Sequence, residues 1–114
     1  MSDHNNMKPP SLWRAEPDEV KLLALGKLIE ELNECGARAA RCIIHGIESI
    51  DPDTKKVNSF ELEKELADVD ALFRLVLAKL DLNMDFICER STVKYEHKRQ
   101  WLDMVRIIIE AEAK

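Results

Sequence analysis

Glycine and proline are scarce in this sequence of 114 residues, which contains three Gly and four Pro. Average usage would be about twice as high. Proteins built from β-strands need many tight turns, and tight turns need these two residue types. The scarcity therefore argues against an all-β fold and favours a mostly helical chain, which at roughly 150 residues per domain has room for one domain.

Long hydrophobic runs are also missing, and no apolar run approaches the roughly 18 residues of a membrane-spanning helix. Residues 1–6 have neither the charged nor the apolar region of a secretory signal. The three cysteines are an odd number, typical of free thiols in a reducing compartment. We therefore expect a cytoplasmic protein that does not associate with membranes.

Basic residues are outnumbered, because 17 Lys and Arg stand against 22 Asp and Glu, for a net charge of −5. Proteins that bind nucleic acid without sequence preference gain their affinity from Lys and Arg placed at phosphates. This charge balance predicts no nucleic-acid partner.

The sequence does contain helical periodicity, in three segments. The first is expected to begin at Pro17, with Asp18 and Glu19 in its first turn, because proline and acidic residues both suit a helix N-terminus. Gly46 is its expected C-terminal stop. Residues 1–16, before this helix, are interrupted by two adjacent prolines and are expected to form a flexible arm.

The second segment begins at Asn58, which together with Glu61 forms the signature of a helix N-cap. Residues 47–57 are expected to form a loop, and residues 81–83 a short break before a third helix that runs from near Met84 to Ile109. The helical pattern over residues 17–114 therefore predicts an all-α antiparallel bundle. A unit this small cannot cover every side of residues 107–109, three consecutive isoleucines, so we expect oligomerisation to complete the bundle.

The first helix carries an acidic pair, Glu31 and Glu34, on a polar stripe beside its apolar face. Arg38 lies on the same stripe and is a candidate for substrate binding. The alternative is a solvated face on which Lys27 pairs with Glu31 and Glu34 with Arg38.

The second helix carries a second acidic pair, Glu65 and Asp68. Helical spacing directs Glu65 into the apolar arc, and Asp68 falls between two leucines. An unpaired buried carboxylate costs several kcal/mol, so these groups need a cation, and a structural ion pair is the alternative to a functional site.

The third helix supplies candidate cations in Lys94 and Lys98, which fall in the middle of an apolar stripe. These lysines either extend to solvent or contact a negatively charged ligand. Tyr95 is a candidate for stacking on a base, although packing is the commoner role of an aromatic side chain at helical spacing.

The two acidic pairs lie on helices that the intervening loop makes antiparallel. Four carboxylates that converge between two helices repel one another unless a divalent cation lies among them. Ligation by oxygen alone suits Mg²⁺ or Mn²⁺, and Mg²⁺ is commonly shared with substrate phosphates. We therefore predict a metal site formed by four residues: Glu31, Glu34, Glu65 and Asp68.

The order of these motifs resembles that of a known superfamily. Residues 30–34, Glu-Glu-Leu-Asn-Glu, are followed by residues 65–68, Glu-Leu-Ala-Asp, and then by Lys94 and Tyr95. This pattern, over roughly residues 18–99, is similar to that of the MazG-like all-α nucleoside triphosphate pyrophosphohydrolases. The superfamily also includes the dimeric dUTPases, the dCTP pyrophosphatases and the phosphoribosyl-ATP pyrophosphohydrolases.

The resemblance implies Mg²⁺-dependent cleavage of a nucleoside triphosphate into a monophosphate and pyrophosphate, as a house-cleaning activity on the nucleotide pool. It implies that the four predicted carboxylates are catalytic metal ligands, that Lys94 faces phosphate or groups on the metal side, and that the chain forms a homodimer or a dimer of dimers. Many relatives have Asn where this chain has Thr92, which bears on recognition of the base or sugar. Two other functions remain open: a non-catalytic helical binding module with the same fold, and hydrolysis of phosphoribosyl-ATP.

Overall fold

The computed structural model describes residues 12–114, which form three α-helices: α1 (Glu19–His45), α2 (Asn58–Lys79) and α3 (Met84–Glu112). No strand occurs among these residues, so the predicted all-α class is confirmed. Of the predicted N-terminal arm, residues 1–11 lie outside the described residues, and residues 12–16 have no regular structure. The chain divides into two compact units, Met1–Leu82 and Asn83–Lys114.

Helix α1 begins two residues later than Pro17. Asp18 is its N-cap, and one carboxylate oxygen accepts hydrogen bonds from the backbone N–H groups of Val20 (2.9 Å) and Lys21 (3.1 Å). The cap satisfies two of the N–H groups that a helix start leaves unpaired, which fixes the boundary at Asp18. At the other end the predicted stop is confirmed: Gly46 is the C-cap with φ 98°, a left-handed conformation that favours glycine.

Helix α2 begins at the predicted residue, but Asn58 is not its N-cap. The N-cap is Val57, which makes no side-chain capping bond. The Asn58 side chain is instead buried, and its amide donates to the carbonyl oxygen of Gly46 at 2.9 Å. The predicted capping role is therefore wrong: Asn58 is the first residue of the helix itself, and its side-chain amide bonds to the end of α1.

The loop between α1 and α2 is held by backbone hydrogen bonds. An antiparallel bridge pairs Ile50 with Val57. The N–H of Asn58 donates to the carbonyl oxygen of Ser49 at 2.9 Å, and that of Ser59 donates to Ile47, also at 2.9 Å. These bonds join both ends of the loop and give the α1–α2 connection a defined shape.

Helices α1 and α2 pack against each other as an antiparallel hairpin. The order of their contacts shows the direction: Cys42 reaches Asn58, and Arg38, further back in α1, reaches Glu61, further on in α2. The apolar core of the described residues is small, with three buried hydrophobic residues: Ala24, Cys42 and Val76. Four polar residues are buried to the same degree: Glu31, Asp51, Asn58 and Glu61. The hairpin therefore encloses charge as well as apolar surface.

The second unit consists of α3 and its N-cap. Helix α2 ends at Lys79, and the Asn83 side chain caps α3 by accepting from the N–H of Phe86 at 3.0 Å, so the predicted break at residues 81–83 is confirmed. No residue of α3 is fully buried, and Ile107, Ile108 and Ile109 are each at least half exposed.

Within residues 12–114, no helix combines the length and the apolar character needed to cross a membrane.

Candidate metal centre

Three of the four predicted metal ligands come together between α1 and α2. One carboxylate oxygen from each of Glu31, Glu65 and Asp68 lies within 4.8 Å of the other two. The grouping follows from the antiparallel hairpin, because Glu31 faces the turn of α2 on which the other two residues lie three positions apart.

Glu31 is the most enclosed member of this group, with a side chain 11% exposed. Its Oε2 atom is buried and accepts no hydrogen bond from any described residue. The nearest cation is the ammonium of Lys27, 3.9 Å from Oε1. Burial raises the pKa of Glu31 above its ordinary 4.5, and the negative charges of Glu34 and Asp68 add to the increase. The negative charge of Glu31 is therefore only partly compensated by the described residues around it.

Glu65 also has an unpaired oxygen. Its Oε2 atom is buried and has no hydrogen-bond partner among residues 12–114. Buried carboxylate oxygens without partners are costly, and a cation would compensate them. Around one octahedral Mg²⁺, with Mg–O distances of 2.0–2.1 Å, adjacent ligand oxygens lie about 2.9 Å apart and opposite ones about 4.2 Å apart. The three carboxylate oxygens lie within 4.8 Å of one another, close enough for one ion to draw them together. The donors, all carboxylate oxygens, also fit Mg²⁺ or Mn²⁺.

Glu34, the fourth predicted ligand, belongs to an adjoining group. Its carboxylate lies within 4.8 Å of those of Glu30 and Glu31. Glu34 is exposed, whereas Glu30 pairs with Lys27 at 3.2 Å. Glu31 is common to both groups and links Glu34 to the pair on α2.

A buried ion-pair network lies next to the acidic group and fixes the loop to both helices. Arg38 Nη1 donates to Asp51 Oδ2 at 2.6 Å, and Arg38 Nη2 lies 3.9 Å from Glu61 Oε2. The other oxygen of Asp51 accepts from the backbone N–H groups of Asp53 (2.8 Å) and Thr54 (3.2 Å). The Arg38 hydrogen bond, followed by those two N–H groups, lowers the pKa of Asp51 from 3.8 to about 2. Asp51 is thus ionised at neutral pH and pairs with Arg38.

Glu61 completes this network on α2, with a side chain 4% exposed. Its Oε2 atom lies 3.2 Å from the ammonium of Lys64 as well as near Arg38. Its Oε1 atom is buried and lacks a hydrogen-bond partner among residues 12–114. Glu61 lies one helical turn before Glu65, so buried carboxylates continue along one face of α2.

A cleft of about 170 Å³ opens where the acidic group and the ion-pair network meet. Five residues line it: Glu34, Ala37, Arg38, Arg41 and Glu65. Carboxylates and guanidinium groups therefore border the same cavity, an arrangement that suits a metal ion together with an anionic ligand.

The three predicted substrate-binding residues of the third helix lie on the second unit. Lys94, Tyr95 and Lys98 are all exposed on α3. Lys94 and Lys98 border one surface depression of α3 together with Trp101, whereas Tyr95 is not part of its lining.

Sequence reasoning missed the roles of Asp51, Glu61 and Arg41. The sequence predicts only a loop at Asp51 and only a helix-capping role for Glu61. For Glu61 a signal was present, since a carboxylate four residues before Glu65 must share its face. The pairing of Asp51 with Arg38 spans thirteen residues and depends on the course of the loop, which periodicity does not encode.

Comparison of the chain with protein-family models, curated proteins and solved structures found no match.

Proposed function

We propose that this chain is a Mg²⁺-dependent pyrophosphohydrolase that cleaves a nucleoside triphosphate or deoxynucleoside triphosphate to the monophosphate and pyrophosphate. The observation that carries the proposal is the group formed by Glu31, Glu65 and Asp68, with two buried oxygens that no described residue satisfies. The type of reaction in this proposal is taken from the sequence resemblance to the MazG-like superfamily. A role in clearing unwanted nucleotides from the pool follows from the same resemblance.

The acidic group and the adjoining cleft have separate roles in this proposal. Glu31, Glu65 and Asp68 would hold Mg²⁺, with Glu34 as the fourth ligand from the adjoining group. Mg²⁺, when bound, supplies positive charge that neutralises phosphate oxygens and the leaving pyrophosphate. Arg38 lines the same cleft and is held there by Asp51 and Glu61.

The attacking group in this proposal is water, directed at the α-phosphorus. The sequence has no glycine-rich phosphate loop for transfer of the terminal phosphate and no Ser-His-Asp or Cys-His signature for a covalent nucleophile. A glutamate of the cleft accepts a proton from the water.

Substrate binding by α3 and self-association are further parts of the proposal. Lys94 and Lys98 would contact phosphate oxygens, and Tyr95 would stack on the base. The half-exposed isoleucines at residues 107–109 support a homodimer or a dimer of dimers, since burial of such a run stabilises association.

Metal binding is the first test, because a ligand that binds only the folded state raises thermal stability. We expect millimolar Mg²⁺ or Mn²⁺ to raise the melting temperature of the wild type, and Glu65→Gln to abolish that increase. Glu63→Gln is the matched control, since Glu63 is an exposed glutamate on the same helix. Absence of any shift in the wild type would favour a non-catalytic binding module.

Substrate class is the second test. A panel of nucleoside triphosphates and deoxynucleoside triphosphates, with phosphoribosyl-ATP alongside, should release pyrophosphate in a metal-dependent manner. Release from phosphoribosyl-ATP alone would replace the proposed substrate with that compound. No release from any member, by a protein that binds metal, would refute the enzymatic proposal.

A further inference from the structure

The cleft beside the acidic group contains two arginines in different electrostatic situations. Arg38 is 12% exposed, and its guanidinium faces the carboxylates of Asp51 and Glu61. Arg41 is 50% exposed, and its only ion pair among the described residues joins Nη1 to Asp51 Oδ2 at 3.4 Å. The charge of Arg38 is therefore largely compensated, whereas most of the Arg41 guanidinium remains available for an anion.

Asp51 orients both arginines. Its Oδ2 atom contacts Nη1 of Arg38 at 2.6 Å and Nη1 of Arg41 at 3.4 Å, while Oδ1 is held by two backbone N–H groups of the loop. One immobile carboxylate thus anchors one edge of the Arg41 guanidinium. The Nε and Nη2 atoms of Arg41 make no hydrogen bond to a described residue, so their donors are free for a second acceptor.

The cleft is open to solvent and has a volume of about 170 Å³. That volume is enough for one or two phosphate groups, and the rest of a larger ligand can extend beyond the cleft. Ala37, on the wall between Glu34 and Arg41, keeps the cleft open because its side chain is a single methyl group.

We propose that Arg41 binds a phosphate oxygen of the substrate's polyphosphate chain, beside the carboxylates that hold the metal. The inference rests on the proposed function and adds to it the residue that recognises the phosphate end. Guanidinium matches phosphate geometry with two parallel hydrogen bonds, which lysine cannot reproduce. Arg38 acts here as a positioning residue, since it and Arg41 share the Asp51 carboxylate.

The test is calorimetric titration in two steps, first with Mn²⁺ alone and then with inorganic pyrophosphate on the Mn²⁺-loaded protein. In Arg41→Gln we expect the Mn²⁺ affinity of the wild type, and pyrophosphate binding about 10- to 100-fold weaker, the loss typical of a hydrogen bond to a charged group. Arg41→Lys should restore part of the loss. Arg74→Gln, which removes an exposed, ion-paired arginine of α2, is the matched control and should bind pyrophosphate like the wild type.

The possible failures are distinguishable. Pyrophosphate binding by Arg41→Gln within about twofold of the wild type would overturn the role of Arg41 and leave the metal site intact. Wild-type protein that binds no Mn²⁺ would overturn the proposed function and this inference with it. If Arg41 only held the loop, Arg41→Gln would lower the melting temperature and leave pyrophosphate affinity unchanged, which also contradicts the inference.

Discussion

Arg38 on α1 and Asp51 in the following loop are joined by a 2.6 Å contact between Nη1 and Oδ2, and both side chains are largely buried. This ion pair holds the loop against α1, and the same Asp51 oxygen lies 3.4 Å from Nη1 of Arg41. The neighbouring group of Glu31, Glu65 and Asp68 is less well compensated, since Glu31 and Glu65 each have a buried oxygen with no hydrogen-bond partner among residues 12–114. Carboxylates paired with arginine thus adjoin carboxylates that have no arginine partner among those residues.

The charge of Asp51 gives a pH-dependent contribution to stability. Its pKa is about 2 in the folded protein and 3.8 ordinarily, so the contribution is complete above pH 4 and is lost as the pH falls towards 2. Asp51→Asn keeps an oxygen for the backbone N–H groups and removes the charge. We expect the variant to be less stable than the wild type at neutral pH, with the difference shrinking between about pH 4 and pH 2.

Urea unfolding across this pH range measures the difference. Asp53→Asn, at an exposed position of the same loop, is the control and should follow the wild type throughout. A constant difference between Asp51→Asn and the wild type, down to pH 2, would show that the charge of Asp51 has no part in stability.

Asn58 is expected to be a structural residue. It is 2% exposed, and its amide donates to Gly46 at 2.9 Å, so Asn58→Ala leaves the Gly46 carbonyl without that donor. The expected loss in free energy of unfolding is about 1–3 kcal/mol. Asn58→Asp should be no better, because a carboxylate cannot donate to a carbonyl. Urea unfolding within 0.5 kcal/mol of the wild type, roughly the range of surface substitutions, would contradict this role.

Local signals in the sequence predicted the helices well and the long-range contacts poorly. Gly46 ends α1 as expected because a C-cap depends on its own backbone conformation. Asn58 does not cap α2, because the helix already includes it and Val57 is the N-cap; its side chain instead donates to Gly46, twelve residues away at the end of α1. The spacing of Glu65 and Asp68 predicted a shared face, and the antiparallel hairpin brings Glu31 to it. The Arg38–Asp51 pair required knowledge of the loop's path.

Glu31 should destabilise the metal-free protein. Because its pKa is raised above 4.5 in the folded state, its charged form opposes folding, and the penalty grows as the pH rises through the raised value. We expect Glu31→Gln to be more stable than the wild type at neutral pH without metal, and equal to it below pH 4.5. With saturating Mn²⁺ the order of stability should reverse, since only the wild type keeps the Glu31 carboxylate as a metal ligand.

Thermal melting at several pH values checks both expectations: the higher stability of Glu31→Gln without metal and its lower stability with saturating Mn²⁺. Glu63→Gln serves again as the control on an exposed glutamate. A metal-free Glu31→Gln protein less stable than the wild type at neutral pH would mean that the carboxylate is structurally compensated.

Lys94 is expected to contribute to substrate binding. Lys94→Met removes an exposed ammonium from α3, and we expect a higher KM for the nucleotide, with a lower kcat as well if the contact tightens in the transition state. Lys114→Met, which removes another lysine of the second unit, is the control. Steady-state kinetics identical to the wild type would show that Lys94 extends into solvent without binding phosphate.

The position of bond cleavage tests the central claim most directly. Hydrolysis of a nucleoside triphosphate substrate in ¹⁸O-labelled water, with Mg²⁺, should give monophosphate and pyrophosphate in equal amounts and no diphosphate. Mass spectrometry should find the label in the monophosphate, because water attacks the α-phosphorus. Release of orthophosphate together with a nucleoside diphosphate, or label in the pyrophosphate, would contradict the proposed function.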